Sequence, residues 1–161
     1  MLNKTGIPTI DDLKSVTPSD ERFASGPVVV VECFQEIPCN PCVDACKPGA
    51  ITKPRDINDL PVVDFDKCNG CGICIKHCPG LAIFVVDKTY SESHATVRIP
   101  HEFVPVPAKG EFVVGLDRAG EERGSFEVVR VIDGGPENKT TTIWLKVPQE
   151  LAMEIRAIKV F

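Results

Sequence analysis

The chain contains eight cysteines, all between Cys33 and Cys78, and they fall into two sets. The second set, KCNGCGICIKHCPG from Lys67 to Gly80, has the spacing Cys-x2-Cys-x2-Cys-x3-Cys-Pro. The first set, within ECFQEIPCNPCVDACKPG, keeps nearly the same order but has five residues in its first gap. Because x2 spacings allow three thiolates of one tight loop to bind separate irons of one cube, this pattern indicates iron–sulfur clusters.

The last cysteine of such a run binds the other cluster when two clusters are present, so we expect crossed ligation. The ligands predicted for cluster A are Cys33, Cys39, Cys42 and Cys78, and those predicted for cluster B are Cys46, Cys68, Cys71 and Cys74. Gly70 and Gly72 would let the backbone bend around sulfur and direct N–H groups at it. The apolar side chains expected to exclude water are Phe34, Ile37, Val43, Ile73 and Ile75.

The long first gap leaves two interpretations of Cys33. The residues FQEIP can form a longer loop that returns Cys33 to its iron, or cluster A has three cysteine ligands and a labile iron. We favour four ligands, because the repeat around Cys33 is otherwise intact and no other cysteine is free. Structural zinc fits less well, since zinc knuckles are two Cys-x2-Cys pairs separated by a longer span. His77 lacks the second histidine that a Rieske site requires, and we expect it to face solvent.

The cysteine sets are positioned by an internal repeat. An aliphatic segment that ends in an acid, PVVVVE or PVVDFD, leads into each set. Each set then closes with Cys-x3-Ala-Ile, first from Cys46 to Ile51 and again from Cys78 to Ile83. The repeat predicts a short strand, a cluster loop and a short helix, twice over. We place this two-cluster domain at residues 27–95, with its end in the polar stretch YSESHA.

Two further segments flank the cysteine domain. Residues 1–26 read as an N-terminal arm, in which Thr9 and Asp12 form a capping box that begins a short helix ending before Pro18. Residues 96–161 contain four strand-like runs, TVRI, FVVGL, SFEVVRVI and TTIWL, separated by turn residues. The final segment VPQELAMEIRAI repeats apolar residues with helical spacing and predicts a C-terminal helix. We therefore expect an α+β fold whose last part is a small barrel-like docking domain.

Composition excludes several functions. With 161 residues, 43% of them hydrophobic and 25% charged, the chain is expected to fold. A net charge of −5 without a Lys/Arg cluster argues against nucleic acid as a partner. No apolar run is long enough for a signal peptide or a membrane span, so we expect a cytoplasmic protein. The chain contains no nucleotide-binding glycine motif and no Ser/His/Asp or Cys/His grouping, which argues against an enzyme with its own catalytic residues.

Residues 27–87, with CNGCGICIKHCPGLAI as the more specific motif, resemble bacterial-type ferredoxins that carry two 4Fe-4S clusters. The resemblance implies a pseudo-two-fold (βαβ)2 core and one-electron transfer. The longer pattern, ECFQEIPCNPC followed by the second motif and VPVPAKGEFVVGLDRAGEERG, is similar to the small ferredoxin-type subunits of FAD-dependent amine or amino-acid dehydrogenases of the proline, hydroxyproline and opine type in anaerobes.

That second resemblance implies a non-catalytic electron-transfer subunit in a hetero-oligomer, with FAD bound only by the partner dehydrogenase. It also gives residues 96–161 a reason to exist, since a subunit needs a docking surface that a diffusing carrier does not. Two alternatives stay open. The chain could be a stand-alone soluble ferredoxin with an accessory domain, or a cluster-based redox sensor, although no DNA-binding element is visible in the sequence.

Overall fold

Three short helices precede the first strand of the computed structural model, which describes residues 2–161. They are α1 (Leu2–Thr5), α2 (Ile10–Lys14) and α3 (Asp20–Ala24). The predicted capping box begins α2: the Thr9 side chain accepts the Asp12 N–H, and the Asp12 carboxylate accepts the Thr9 N–H. Helix α3 buries Phe23 in the core, so the arm packs on this chain. None of the described helices is long and apolar enough to cross a membrane.

The cysteine-containing part has the predicted order of strand, loop and short helix, twice. The first half consists of β1 (Val28–Val31), α4 (Pro41–Ala45) and β2 (Ile51–Thr52). The second half consists of β3 (Val62–Val63), a 3₁₀ turn (Ile75–His77) and β4 (Ile83–Asp87). Strand β1 pairs antiparallel with β4, and β2 pairs antiparallel with β3. The first strand of each half therefore pairs with the last strand of the other half.

Equivalent hydrogen bonds join the two halves at the acids that end the aliphatic segments. The Glu32 N–H donates to the Ala82 carbonyl at 2.8 Å, and the Asp64 N–H donates to the Ala50 carbonyl at 2.8 Å. The residue before each alanine has a left-handed backbone, with φ of +69° at Gly49 and +52° at Leu81. The internal repeat seen in the sequence is thus a repeat of backbone geometry.

Beyond these elements the chain adds five strands to the β1–β4 pair. They are β5 (His94–His101), β6 (Phe112–Leu116), β7 (Glu122–Ile132), β8 (Thr141–Pro148) and β9 (Ala157–Ile158). The seven-stranded sheet has the order β1-β4-β5-β8-β7-β6-β9, and all its neighbours are antiparallel. The four predicted strand-like runs lie in β5 to β8. The sheet crosses the boundary predicted after residue 95, because Val86 of β4 pairs with Val97 of β5.

The β1–β4 pair contributes to two apolar cores because successive side chains of a strand point to opposite faces. Val28 and Val30 of β1 join Phe84 of β4 in a large core with the added strands. Val29 and Val31 lie in a second, smaller core, which also contains cysteines from both sets. This alternation explains the four consecutive buried valines, since both faces of β1 are covered.

The two edges of the sheet are connected by ion pairs rather than by strand pairing. The strand order begins at β1 and ends at β9, and among the described residues no ladder joins these edges, so the predicted barrel is not closed by hydrogen bonds. Glu32, which follows β1, instead accepts hydrogen bonds from Arg118 and Arg156, which flank β6 and β9. All three side chains are at least 86% buried, so these ion pairs join the two ends of the strand order in the protein interior.

The predicted C-terminal helix is wrong. A 3₁₀ turn (Gln149–Leu151) follows β8, and the chain then returns as β9. The Arg156 N–H donates to the Leu116 carbonyl and the Lys159 N–H donates to the Val114 carbonyl, so the segment covers the exposed edge of β6. Ile155 and Ile158 are buried in the large core, as their apolar character indicates. The need of β6 for an edge partner outweighed the helical spacing of those residues.

Candidate iron–sulfur centre

Thiols from both cysteine sets line one small cavity. Its cysteines are Cys46, Cys68, Cys71 and Cys74. Cys46 follows α4, whereas the other three lie in the loop that leads to the 3₁₀ turn. Val29, Ala50 and Ile51 supply apolar walls. We call this cavity site B, because its thiols are those predicted for cluster B.

A second small cavity is lined by the four other thiols. Its cysteines are Cys33, Cys39, Cys42 and Cys78. Val31, Pro61 and Ile83 supply its apolar walls, and Lys53 also reaches it. We call it site A. Each site thus has three thiols from one cysteine set and one thiol from the other set: Cys46 of the first set lies at site B, and Cys78 of the second set lies at site A. The fold therefore brings together the groups expected for crossed ligation. Which thiols bind iron stays a prediction.

Electrostatic coupling divides the thiols in the same way. Burial, followed by the charges of Cys71, Cys68 and Cys46, raises the pKa of Cys74 to about 12. Burial and the charges of Cys78, Cys39 and Cys33 likewise raise the pKa of Cys42. Four thiolates cannot ionise together around one cavity without a cation, so a positively charged group such as iron is the species that would stabilise them.

Backbone N–H groups point at the sulfurs in both sites. The Ala50 N–H donates to the Cys46 sulfur at 3.2 Å, and the Ala82 N–H donates to the Cys78 sulfur at 3.4 Å. These are equivalent bonds, each produced by the Cys-x3-Ala-Ile end of a repeat. The Cys68 sulfur accepts two further N–H groups, from Val29 and Gly70, both at 3.4 Å. Such donors stabilise negative charge on sulfur and make a bound cluster easier to reduce.

The loop of site B is held by two arginines from outside the repeat. The Arg22 guanidinium of α3 donates to the carbonyls of Cys68 at 2.7 Å, Phe65 at 2.7 Å and Pro27 at 3.0 Å. Arg98 of β5 donates to the Gly70 carbonyl at 2.6 Å. Sequence reasoning missed both residues, because nothing in the sequence relates an arginine of the arm or of β5 to the cysteine loop.

The positive φ angles of +67° at Gly70 and +77° at Gly72 confirm the predicted bend of the site B loop. The close approach of the chain at Gly70 was not predicted. A Cβ added to Gly70 would lie 2.5 Å from the Pro27 oxygen, so this position admits no side chain. The glycine is required both by its backbone conformation and by its contact with the residue before β1.

The five-residue loop of site A still places Cys33 at its cavity. The Cys39 N–H donates to the Ile57 carbonyl at 3.3 Å, and the Lys53 ammonium donates to the same carbonyl at 2.7 Å. Lys53 also donates to the Ile37 carbonyl at 3.5 Å, which ties the loop to the segment after β2. The extra residues are thus accommodated as a tethered loop beside the cavity, and the arrangement favours four cysteines at site A.

Some of the apolar side chains predicted to exclude water do not do so. Ile75 is fully buried, but Ile37 and Ile73 are 43% and 37% exposed. The walls come instead from β1 and from the isoleucines that end each Cys-x3-Ala-Ile repeat. The alternation of β1 could have identified Val29 and Val31, whereas proximity in sequence to a cysteine was a poor guide. His77 is exposed, as predicted.

The donor set fits 4Fe-4S clusters. All eight cysteines are free thiols, and each site has four of them around an apolar-walled cavity with N–H donors directed at sulfur. Within residues 2–161, no three His, Cys, Asp or Glu side chains converge in the way that a single metal ion requires. A cluster is bound at four separate corners, so thiols spread around a cavity are the arrangement it needs.

Comparison with known proteins supports this chemistry over part of the chain. Residues 61–84, which contain the second cysteine set, match the family model of the 4Fe-4S binding domain. The ferredoxin-type protein NapF of Haemophilus influenzae is 37% identical over 40% of this chain and 39% of its own length. No solved structure matches the chain.

Two further relatives are components of enzymes by name. The PorD component of pyruvate synthase from Methanothermobacter marburgensis is 43% identical over 29% of this chain and 51% of its own length. A selenate reductase subunit from Mesobacillus selenatarsenatis is 31% identical over 60% of this chain and 32% of its own length. The chain thus spans about half or less of the curated relatives it matches. Taken with the thiol-lined cavities, these similarities show that the cysteine region of the chain contains a 4Fe-4S binding domain of the ferredoxin type.

Proposed function

We propose that the chain is a non-catalytic electron-transfer subunit that carries two 4Fe-4S clusters, one in each site. The observation that carries this proposal is the pair of cavities, each lined by four thiols drawn from both cysteine sets. When bound, each cluster takes up and gives back one electron at a time. Two adjacent one-electron sites suit a relay between a two-electron donor and a single-electron carrier.

The chain's own residues set the conditions for such a relay. Cysteines of both sites border the small core that contains Val29, Val31, Ile51 and Ile83, so the two sites share one water-excluding wall. The Val29 N–H belongs to β1, and the Ala50 and Ala82 N–H groups directly precede β2 and β4, so these three donors are held in place by the strands. Cys71 is the exposed cysteine, which brings site B closest to solvent and to a docked partner.

The partner in this proposal is a flavin-containing dehydrogenase that oxidises an amine or amino acid, with which the chain forms a cytoplasmic hetero-oligomer. The sequence resemblance supports this partner, and the names of two relatives, a pyruvate synthase subunit and a selenate reductase subunit, support membership of an oxidoreductase complex in general. FAD would be bound by the partner, because this chain has no nucleotide-binding motif. A diffusing ferredoxin with an accessory domain is the competing outcome of the test below.

Native mass spectrometry of the protein isolated without oxygen from its own cells tests the proposal. We expect eight irons per chain and an assembly that contains a larger subunit with FAD. A free monomer with eight irons would contradict the complex and favour the diffusing carrier. Four irons, or bound zinc, would contradict the two-cluster assignment.

Serine variants test crossed ligation. Cys46→Ser should impair the cluster of site B and Cys78→Ser that of site A, although each cysteine belongs in sequence to the opposite set. Cys33→Ser should impair site A as severely as Cys78→Ser if the long loop delivers a fourth ligand. His77→Ala is the matched control, because His77 lies between two cysteines yet is exposed, and its removal should leave eight irons. If Cys33→Ser also leaves eight irons with unchanged spectra, site A has three cysteine ligands.

A further inference from the structure

Arg98 is a buried cation beside site B. It lies on β5, is only 7% exposed, and donates from Nη1 to the carbonyl of Gly70 within the cysteine loop. Its guanidinium stacks on the ring of its cross-strand neighbour Trp144, with 3.7 Å between the guanidinium carbon and the ring centroid. The Arg98 Nε has no hydrogen-bond partner among the described residues. The added strands therefore deliver a positive charge to the cluster loop.

The charge of Arg98 lacks a directly bonded carboxylate. The ion pairs formed by the described residues do not include Arg98. Burial lowers the pKa of Arg98, while the charges of Asp87, Cys71 and Cys68 act in the opposite direction. Arginine stays protonated in proteins because its pKa begins so far above neutrality. A buried cation of this kind is costly unless negative charge lies nearby, and the thiolates of a filled site B would supply that charge.

Site A is surrounded differently, because the buried arginines close to it, Arg118 and Arg156, both donate to the carboxylate of Glu32, the residue before Cys33. The cation that reaches the site A cavity, Lys53, is only partly buried and already donates to the Ile37 and Ile57 carbonyls. Water screens a partly exposed charge much more strongly than a buried one. Among the described residues, site B also accepts three N–H···S hydrogen bonds and site A accepts one, so both these donors and Arg98 favour added negative charge at site B.

We propose that Arg98 raises the reduction potential of the site B cluster above that of the site A cluster, so that the first electron resides at site B. This inference rests on the proposed function. Reduction by dithionite adds one electron to the cluster and one negative charge to the site, and the buried charge of Arg98 beside the Gly70 carbonyl stabilises it. A residue of β5 thereby determines which of the two sites holds the first electron.

Redox titration of Arg98 variants, monitored by electron paramagnetic resonance, tests the proposal. In Arg98→Gln, which removes the charge but keeps a donor for Gly70, the reduced-to-oxidised ratio of the site B cluster at fixed potential should fall about tenfold, equivalent to about 59 mV. The site A ratio should stay unchanged. Arg98→Lys should retain most of the native potential. Arg130→Gln is the matched control, because Arg130 also faces Trp144, at 5.0 Å, but is exposed; neither ratio should change.

The native protein provides a second measurement that does not depend on the folding of any variant. With ¹⁵N-alanine labelling, the Ala50 N–H reports on site B through Cys46, and the Ala82 N–H reports on site A through Cys78. After addition of one electron per chain, the Ala50 resonance should shift more than that of Ala82. A larger shift at Ala82, or equal shifts, would overturn the assignment to site B.

Iron content separates failure of this inference from failure of the proposed function. Fewer than eight irons in the native protein would contradict the two-cluster function itself. With eight irons present, an Arg98→Gln protein whose two potentials are unchanged, or shift equally, would contradict only the role of Arg98. A shift confined to site B supports it.

Discussion

Gly70→Ala offers a sharp test of how the cysteine loop is built, because the structure separates two costs at this position. The first cost is conformational: with φ at +67°, an L-residue at Gly70 would lie in the left-handed region, which costs about 1 kcal/mol. The second is steric: the added Cβ would lie 2.5 Å from the Pro27 oxygen and 2.7 Å from two further Pro27 atoms.

Neither side of this contact can move easily. The Pro27 carbonyl accepts a hydrogen bond from Arg22 at 3.0 Å, and the Gly70 carbonyl accepts one from Arg98 at 2.6 Å. Forcing extra atoms into such a packed contact costs about 2 kcal/mol. We therefore expect Gly70→Ala to lower the free energy of unfolding by about 3 kcal/mol, which is about 6–12 °C in melting temperature for a chain of this length.

Gly49→Ala is the matched control. Gly49 also has a left-handed backbone, with φ of +69°, and it lies three residues after a cysteine of site B. A Cβ at Gly49 would meet nothing within 4 Å, so only the conformational cost of about 1 kcal/mol applies, or about 2–4 °C.

The assay is thermal unfolding followed by circular dichroism on anaerobically purified protein, with iron content measured in parallel. Iron should be lost from site B first in Gly70→Ala and should be retained in Gly49→Ala. Equal melting temperatures for the two variants would refute the steric argument, because the two positions differ mainly in their contact with Pro27.

Other contacts yield predictions of similar size. Glu32→Gln should lower the free energy of unfolding by about 3 kcal/mol, since it leaves two buried arginines without their carboxylate. Burial opposes ionisation of Glu32, but its arginine partners outweigh burial and hold its pKa below the usual value. The stabilisation by ionised Glu32 is therefore fully present above its unfolded pKa of about 4.3 and is lost as pH falls through its folded pKa. The difference in melting temperature between the native protein and Glu32→Gln should accordingly become smaller below about pH 4.3. A difference that stays constant with pH would contradict this. Arg22→Ala should lower the melting temperature by several degrees and make α3 sensitive to proteolysis, because the Arg22 guanidinium donates to four backbone carbonyls. Arg22→Lys should recover only part of this loss, since an ammonium lacks the forked geometry of a guanidinium. Full recovery in Arg22→Lys would show that the forked geometry is unimportant. Gly115→Ala should lower the free energy of unfolding by about 2 kcal/mol, because its Cβ would lie 2.6 Å from the Phe126 ring. Adding Phe126→Leu should restore part of this free energy, measured by urea unfolding. If the second substitution restores none of it, another contact causes the destabilisation.

The grouping of the thiols could be predicted from sequence because ligand chemistry restricts spacing. Three thiols of one loop can reach one cube only at short intervals, and the departing fourth cysteine implies a neighbouring site. The Cys-x3-Ala-Ile repeat carried still more information, since in the structure it directs the Ala50 and Ala82 N–H groups at equivalent sulfurs. That detail was present in the sequence but required the backbone geometry to interpret.

The surroundings of the site were not predictable in the same way. Arg22 and Arg98 are brought to the cysteine loop by packing of α3 and by strand pairing of β5, neither of which leaves a local pattern. The prediction of a helix in the C-terminal segment was wrong for a related reason. Its apolar spacing suits a helix, but Ile155 and Ile158 serve an extended return along β6, where long-range hydrogen bonds outweigh local propensity.

The strands after residue 95 form one structural unit with the cysteine-containing part. Strand β5 follows β4 after a short turn and pairs with it. Arg98 reaches the loop of site B, and Arg156 reaches Glu32, the acid that follows β1. The large core likewise includes Phe84 of β4 together with residues of the added strands. A partner docked on these strands would therefore be held at a fixed distance from both sites. That rigidity is what the proposed electron-transfer subunit requires, because it would keep the distance between a docked partner and the two sites constant.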